Sequence, residues 1–144
     1  MTRIFKGIFL LLGSLLLVVA QNKQNDDKMK KQALRLHNYC TKKVDSNTEY
    51  LLAALYNKAE HTEPFKCYLQ CIFDSLGLVD SNNQVNLEKL INFAPTEIHE
   101  HLLELHRACD TQPGKDSCDI VYTTSQCYYE VKPAARGYLE YMMH

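Results

Sequence analysis

The sequence predicts an all-α fold, a compact bundle of about six short helices. Apolar residues recur at helical spacing through most of the chain, and no stretch alternates apolar and polar residues long enough to indicate a strand. Six cysteines follow an apolar N-terminal leader, and an even cysteine count in a secreted chain is typical of a disulfide framework. Together these features predict a helical bundle stapled by three disulfides.

The first twenty residues have the pattern of a signal peptide. Arg3 and Lys6 precede an apolar run at residues 8–19, and Val18-Val19-Ala20 offers small residues where a signal peptidase cleaves. The run is short for a membrane span, and a polar segment follows it. We therefore expect a signal peptide at residues 1–20 and a secreted, extracellular protein without stable membrane insertion.

Residues 21–144 are expected to form one helical domain, because their length suits a single domain and they contain no linker or repeat. Polar residues 21–27 are expected to fray at its start. The formal net charge of the whole chain is −1, and the part after the leader is slightly more acidic. Such a charge gives no general attraction to nucleic acid or to an anionic membrane.

The first two helices are predicted from apolar spacing and from a capping residue. The first covers residues 29–40, where apolar side chains recur at i, i+4, i+7 and i+11. Ser46 or Asn47 can cap the second, because a short polar side chain can accept a hydrogen bond from a free backbone N–H. The inner face of the second helix would carry three apolar residues, Leu52, Leu55 and Ala59.

The next two helices are bounded by proline, glycine and asparagine. Pro64 suits the first turn of the third helix, and Gly77 stands where a C-terminal cap belongs. After a turn at residues 80–83, Asn86 can cap a short fourth helix. The step Ala94-Pro95 ends it, because the residue before a proline avoids the α conformation.

The last two helices and the tail complete the prediction. Thr96 can cap a fifth helix, and Asp116 or Ser117 can open a sixth that ends at Pro133. Residues 134–144 are too apolar for a solvated terminus, so we expect them to fold back over the bundle.

Cys67 and Cys71 reduce the number of disulfide patterns, of which six cysteines allow about 15. On one helix these two residues are i,i+4 neighbours, with Cβ atoms about 5–6 Å apart. A disulfide needs Cβ atoms about 3.5–4.5 Å apart. The two cysteines should therefore bond to different partners and tie the third helix to two other segments.

With the cysteines placed on these helices, the chain resembles the insect odorant-binding protein family. The resemblance rests on the leader, the short helices and cysteine gaps of 26, 3, 37, 8 and 8 residues. Pheromone-binding and general odorant-binding members share the gaps of 3 and 8. Residues 66–80, KCYLQCIFDSLGLVD, resemble the central helix of the family and the turn after it. The resemblance implies the disulfides Cys40–Cys71, Cys67–Cys118 and Cys109–Cys127.

The resemblance also implies a function in transport and olfaction. The protein would be a secreted carrier that reversibly binds small hydrophobic ligands of the odorant or pheromone type in an internal apolar cavity. An empty apolar cavity destabilises a fold by about 24 cal/mol per Å³, and three disulfides at about 3–4 kcal/mol each can offset such a term. A solid core, with disulfides that only resist proteolysis, is the alternative.

The candidate pocket residues lie on the predicted inner helix faces and in the tyrosine-rich last quarter of the chain. The chain has 9 tyrosines and no tryptophan. A tyrosine suits a pocket wall because it pairs an apolar ring with a hydroxyl, although ordinary core packing also uses it. Helix faces and the family likeness together give the predicted ligand-binding set: Leu52, Leu55, Phe73, Leu76, Leu90, Phe93, Ile98, Leu102, Val121, Tyr122, Ser125, Tyr138 and Tyr141.

Catalysis and metal binding find little support in the sequence. The chain has no nucleophile-elbow, glycine-rich phosphate-loop or zinc-helix motif. His99 and His106 share a helix face while His101 is turned away, which is poor geometry for three ligands of one metal. We read this segment as a solvated helix face and expect no enzyme activity, no metal and no cofactor.

Some alternatives and partners stay open at this stage. A non-olfactory carrier of hormones or lipids is one alternative, and a solid-core secreted signalling or interaction protein is another. An olfactory carrier would meet a membrane chemoreceptor, and the expected state is a monomer or weak homodimer. Because several family members release ligand in acid, histidines could weaken binding as pH falls; the candidates are His99, His101, His106 and His144.

Overall fold

The structure, a computed structural model, describes residues 2–57 and 62–144, with side chains from residue 13 onward. This part of the chain has no strand, and one isolated antiparallel bridge joins Val79 to Val85. The all-α prediction is therefore confirmed. The α-helices are α1 (Thr2–Lys43), α2 (Thr48–Tyr56), α3 (Glu63–Ser75), α4 (His99–Ala108), α5 (Ser117–Val131) and α6 (Arg136–Met142). Short 3-10 helices cover Leu87–Asn92, Thr96–Ile98 and Pro133–Ala135.

Most of the predicted helix boundaries are present. The side chains of Asn47, Asn86 and Asp116 each accept a hydrogen bond from a backbone N–H two or three residues later, at 2.9, 3.1 and 2.9 Å. Pro64 lies in the first turn of α3. Gly77 follows that helix with φ of 71°, a left-handed conformation that glycine adopts without a Cβ penalty.

One predicted helix start is wrong, and one predicted helix has 3-10 geometry. Thr96 does not cap the fifth helix, because residues 96–98 form a 3-10 turn and α4 begins at His99 without a side-chain cap. The predicted short fourth helix is present at Leu87–Asn92 with Asn86 as its cap, and it is a 3-10 helix.

The inner face of α2 is also shifted from the prediction. Leu51, Ala54 and Leu55 are buried, whereas Leu52 is only half-buried. Leucines at both 51 and 52 fit a helical period, so the sequence pattern did not distinguish the two faces. The predicted inner residue Ala59 lies outside the described residues.

The N-terminal segment forms a continuous helix rather than the frayed start expected at residues 21–27. Its apolar residues 15–19 keep 52–70 % of their surface exposed and add nothing to the core. Within the described residues, no helix has the length and hydrophobicity that a membrane span requires. The domain boundary after residue 20 stays a prediction.

Helix α3 is the centre of the bundle and is covalently joined to two other helices. Cys71 bonds to Cys40 of α1, and Cys67 bonds to Cys118 in the first turn of α5. A third disulfide joins Cys109, at the end of α4, to Cys127 of α5. These are the pairs that the family resemblance implies, and each described cysteine is bonded.

An ion pair reinforces the packing of α3 on α5. The Nζ atom of Lys66 lies 3.0 Å from a carboxylate oxygen of Asp119, and both side chains are about one-fifth exposed, at 19 and 20 %. The Lys66 ammonium lowers the pKa of the Asp119 carboxyl, which also accepts a hydrogen bond from the Lys115 backbone N–H. The Lys66–Asp119 ion pair lies close to the Cys67–Cys118 disulfide in the sequence, and both connect α3 to α5.

A buried histidine links the first three helices. His37 is only 1 % exposed, and its Nδ1 atom lies 2.8 Å from the hydroxyl of Tyr68 on α3. Its Nε2 atom lies 2.7 Å from the hydroxyl of Thr48 at the start of α2. In a neutral ring one of these nitrogens accepts a hydrogen bond and the other donates. A charged ring would donate from both and upset this arrangement.

The environment of His37 predicts that acid destabilises the fold. Burial lowers the pKa of His37 from its ordinary 6.5, and the nearby His144 lowers it further. The unfolded chain therefore takes up a proton near pH 6.5 that the folded chain resists, so stability is lost as pH falls below that value. Thermal melts followed by circular dichroism should show the melting temperature decreasing between about pH 7 and pH 5.

The variant His37→Gln should lower the melting temperature at all pH values and should make the melting temperature depend less on pH. The matched control is His101→Gln, at an exposed position. Its melting temperature should depend on pH as strongly as that of the unaltered protein. Equal pH dependence in all three proteins would assign the acid sensitivity to other groups.

Candidate functional site

An apolar cavity of about 660 Å³ lies between the helices and is partly open to solvent, since Phe93 and Tyr141 in its wall are 59 and 42 % exposed. Its walls come from α1, α3, α4, α5, α6 and the 3-10 helix Leu87–Asn92. Most of the lining side chains are aliphatic or aromatic. A cavity of this size and character lies within the range of small-ligand sites, which is about 300–1,000 Å³.

Nine of the thirteen predicted ligand-binding residues line this cavity. They come from five separate segments, so the fold brings together residues that are up to 68 positions apart in the sequence. Their placement is a geometric fact, while their contact with a ligand stays a prediction. The nine residues are Phe73, Leu76, Leu90, Phe93, Ile98, Leu102, Ser125, Tyr138 and Tyr141.

The other four predicted residues lie away from the cavity. Leu55 and Val121 are buried in the packed core, at 3 and 0 % exposure. Leu52 lies half-buried on α2, which contributes no residue to the cavity wall. The ring of Tyr122 faces Lys66 instead, with the Nζ atom 4.8 Å from the ring centre.

Helix α1 contributes a wall that the sequence analysis did not assign to the site. Met29, Ala33 and Leu36 line the cavity, and they form the apolar stripe from which the first helix was predicted. The helical period identified the stripe but could not distinguish a face against a cavity from a face against solid packing. Tyr128 and Tyr129 of α5 were missed for the same reason.

The tail forms another wall of the cavity. Ala135 and Leu139 are buried and reach it, together with Tyr138, Tyr141 and Met142. The hydroxyl of Tyr56 on α2 donates a hydrogen bond to the carboxylate of Glu140, which fixes α6 against the bundle. This arrangement agrees with the expectation that residues 134–144 fold back over the helices.

The cavity wall has little charge and two unpaired hydroxyls. Among the described residues no lysine, arginine or histidine lines it. Ser125 and Tyr128 are 1 and 3 % exposed, and their hydroxyl oxygens have no hydrogen-bond partner within the described part of the chain. Burial raises the pKa of the Tyr128 hydroxyl, so this group stays protonated.

The three histidines around α4 have separate surroundings. His99 is bonded through Nε2 to the carbonyl of Ala94 at 2.9 Å, and His101 lies 2.6 Å from Lys132. The Nε2 atom of His106 is 3.8 Å from a Glu88 carboxylate oxygen. None of the three lines the cavity, and the described residues contain no cluster suited to a metal ion.

A comparison with known families assigns the chain to one of them. Residues 22–131 match the family described as the PBP/GOBP family. The chain belongs to this family. The match covers most of this PBP/GOBP protein and includes all six cysteines, and the resemblance inferred from the cysteine spacing is confirmed.

Curated and solved relatives of this PBP/GOBP protein agree with that assignment. General odorant-binding protein 69a of Drosophila melanogaster is 38 % identical over 102 residues, which are 70 % of this chain and 69 % of the relative. The crystal structure of the medfly odorant-binding protein CcapOBP22/CcapOBP69a has a TM-score of 0.68 at 29 % identity, over 78 % of this chain and 97 % of that one. Both relatives are named as odorant-binding proteins.

A mosquito structure adds a relative with a bound small molecule. Odorant-binding protein 7 of Anopheles gambiae, solved with four disulfide bridges and in complex with an azo compound, has a TM-score of 0.72 at 25 % identity. The similarity covers 82 % of this PBP/GOBP protein and 97 % of the mosquito chain. The chain described here has three disulfides in the same fold.

The tail should be required for ligand affinity. Truncation after Pro133 removes one wall of the cavity but none of the cysteines, so the three disulfides and most of the helical circular dichroism should persist. Affinity for an apolar fluorescent probe should decrease by about tenfold or more, equivalent to about 1.4 kcal/mol.

Two point variants distinguish the loss of a wall contact from a general effect on the fold. Tyr138→Ala, in the wall, should weaken probe binding, whereas Tyr39→Ala, at an exposed position on α1, should not. Undiminished affinity of the truncated chain would show that α6 is not part of the binding site.

Proposed function

We propose that this protein is a secreted carrier that reversibly binds small hydrophobic ligands of the odorant or pheromone type. The apolar cavity of about 660 Å³ between the helices carries this proposal. Membership of the PBP/GOBP family supports it, and so does the mosquito relative that was solved with an azo compound. The cavity favours a carrier over the solid-core signalling protein that the sequence left open.

The physical basis of binding would be the transfer of apolar surface out of water. Burial of apolar area stabilises a complex by about 25 cal/mol per Å². An empty apolar cavity also lacks dispersion contacts, which an occupying ligand restores. All cysteines of the described chain are in disulfides, so the site offers no thiol for covalent capture. Binding would therefore be non-covalent and reversible.

Secretion would place this carrier in an extracellular fluid, where a poorly soluble apolar ligand needs a soluble carrier protein. The exposed apolar side chains at residues 15–19 support removal of the leader, since they pack against nothing in the core. Three disulfides suit the oxidising conditions outside the cell. In olfaction the ligand would be delivered to a membrane chemoreceptor, with the carrier a monomer or weak homodimer.

Signal-peptide cleavage should leave Gln21 as the first residue of the secreted protein. Cleavage there would keep Met29, Ala33 and Leu36, which line the cavity. Intact-mass measurement of protein collected from the medium of secreting insect cells should give the mass of residues 21–144 with three disulfides. Retention of the chain in the cells, or a start well inside α1, would contradict the proposed processing.

A displacement assay tests the carrier function and locates its site. N-phenyl-1-naphthylamine should gain fluorescence with the oxidised protein, because its emission rises in an apolar environment. Ile98→Asp places a charge in the apolar cavity wall and should weaken probe binding by at least about tenfold, because a bound probe would remove water from the carboxylate and give it no partner.

The matched control is Ile120→Asp. Ile120 is half-buried like Ile98 but lies in the first turns of α5, away from the cavity, where an acidic residue suits the helix N-terminus. This variant should bind the probe like the unaltered protein. Absence of probe uptake by the unaltered protein would contradict the carrier function, and equal losses in both variants would place the site elsewhere.

A further inference from the structure

Two residues of the cavity wall on α5 carry buried hydroxyls without a hydrogen-bond partner among the described residues. Ser125 and Tyr128 are three residues apart and therefore share a helix face. Both line the cavity, both are more than nine-tenths buried, and the Ser125 Oγ and the Tyr128 hydroxyl oxygen have no hydrogen-bond partner within the described residues. Buried polar groups in folded proteins are nearly always paired, so this pair calls for a physical reason.

Neighbouring hydroxyls on the same helix are fully engaged. Thr124 is completely buried, and its Oγ1 atom donates to the carbonyl of Ile120 at 2.7 Å and accepts from the N–H of Gln112 at 2.9 Å. Thr123 donates to the carbonyl of Asp119 at 2.8 Å. Serine can make the same bond four residues back along its helix, yet Ser125 does not.

A buried tyrosine elsewhere in the core shows the usual arrangement. Tyr68 is completely buried, and its hydroxyl is paired with His37 at 2.8 Å. It does not line the cavity. The hydroxyl of Tyr128 therefore differs from that of Tyr68 in lacking a partner, and Tyr128 lines the cavity whereas Tyr68 does not.

We propose, on the basis of the carrier function above, that Ser125 and Tyr128 form a polar subsite for one neutral oxygen-bearing group of an otherwise apolar ligand. Each hydroxyl can donate to a carbonyl or ether oxygen, and each can accept from an alcohol. The ligand would thereby satisfy two groups that the empty protein leaves unpaired. The ligand class is a medium-length alcohol, aldehyde, ketone or ester.

The charges in the cavity wall favour neutral ligands over carboxylates. Among the described residues, the cavity has no cationic side chain to pair with a carboxylate, and Asp26 adds a negative charge to its lining. Burial of an ion without a partner is much less favourable than burial of a neutral hydroxyl. Burial also raises the pKa of the Tyr128 hydroxyl, which keeps it neutral at physiological pH. A fatty acid anion should therefore bind more weakly than the alcohol of the same length.

The test measures displacement of N-phenyl-1-naphthylamine by matched ligands. The ligands are 1-decanol, decanal, decanoate and n-undecane, of which n-undecane has the size of 1-decanol without its oxygen. Ser125→Ala and Tyr128→Phe should each weaken 1-decanol and decanal binding by about threefold to tenfold, the range expected for one lost hydrogen bond. Binding of n-undecane should be unchanged or tighter. Decanoate should bind the unaltered protein at least about tenfold more weakly than 1-decanol does.

Thermal stability without ligand gives a second, independent readout. Ser125→Ala and Tyr128→Phe remove unpaired buried hydroxyls, so neither should lower the melting temperature of the ligand-free protein. The matched control is Tyr68→Phe, which removes a paired hydroxyl outside the cavity. It should lower the melting temperature and leave the preference between 1-decanol and n-undecane unchanged.

Several outcomes would overturn the subsite. Equal weakening of n-undecane and 1-decanol in the two variants would mean that the side chains act through packing alone. A loss of stability in Tyr128→Phe as large as that in Tyr68→Phe would mean that its hydroxyl has an internal partner. If the unaltered protein takes up no probe, the carrier function fails and the subsite fails with it. Probe uptake without the predicted discrimination would overturn only the subsite.

Discussion

The i,i+4 pair of cysteines on α3 is the constraint on which the rest of this structure depends. Because Cys67 and Cys71 are too far apart along one helix turn to bond to each other, each must bond to a different element. Helix α3 is thus fixed to α1 on one side and α5 on the other. The Lys66–Asp119 ion pair and the His37–Tyr68 hydrogen bond repeat these same two connections without covalent bonds. An interior that is not solidly filled can persist because its walls are held apart by this central helix.

The sequence was most informative where local chemistry decides the structure. Asn47, Asn86 and Asp116 marked helix starts correctly, because a cap depends on a few neighbouring backbone groups. Thr96 failed as a cap because the chain tightens into a 3-10 turn there. The disulfide partners needed more than local chemistry. The residues alone excluded one pair, and the family resemblance supplied the remaining choices.

The cavity was only partly predictable, because a helical period shows which face is apolar but not what lies against it. Phe73 and Leu102 were placed at the cavity, whereas Val121, with an equally apolar position on α5, lies in solid packing. The leucines at 51 and 52 illustrate the same ambiguity on α2. The unpaired hydroxyl of Tyr128 and the buried ring of His37 depend on neighbours from distant segments, which no spacing rule along the chain identifies.

The tail has a kinetic consequence, because α6 contains no cysteine and lies beyond the last disulfide, so this wall is held by non-covalent contacts. Its opening would break the contacts of Leu139 and Met143 and the Tyr56–Glu140 hydrogen bond while every disulfide-linked helix stays in place. Local opening of this kind requires less free energy than global unfolding. The residence time of a bound molecule would then be set by how tightly one short helix is docked. Sequence changes on the outer face of α6 could adjust that time without altering the shape of the cavity.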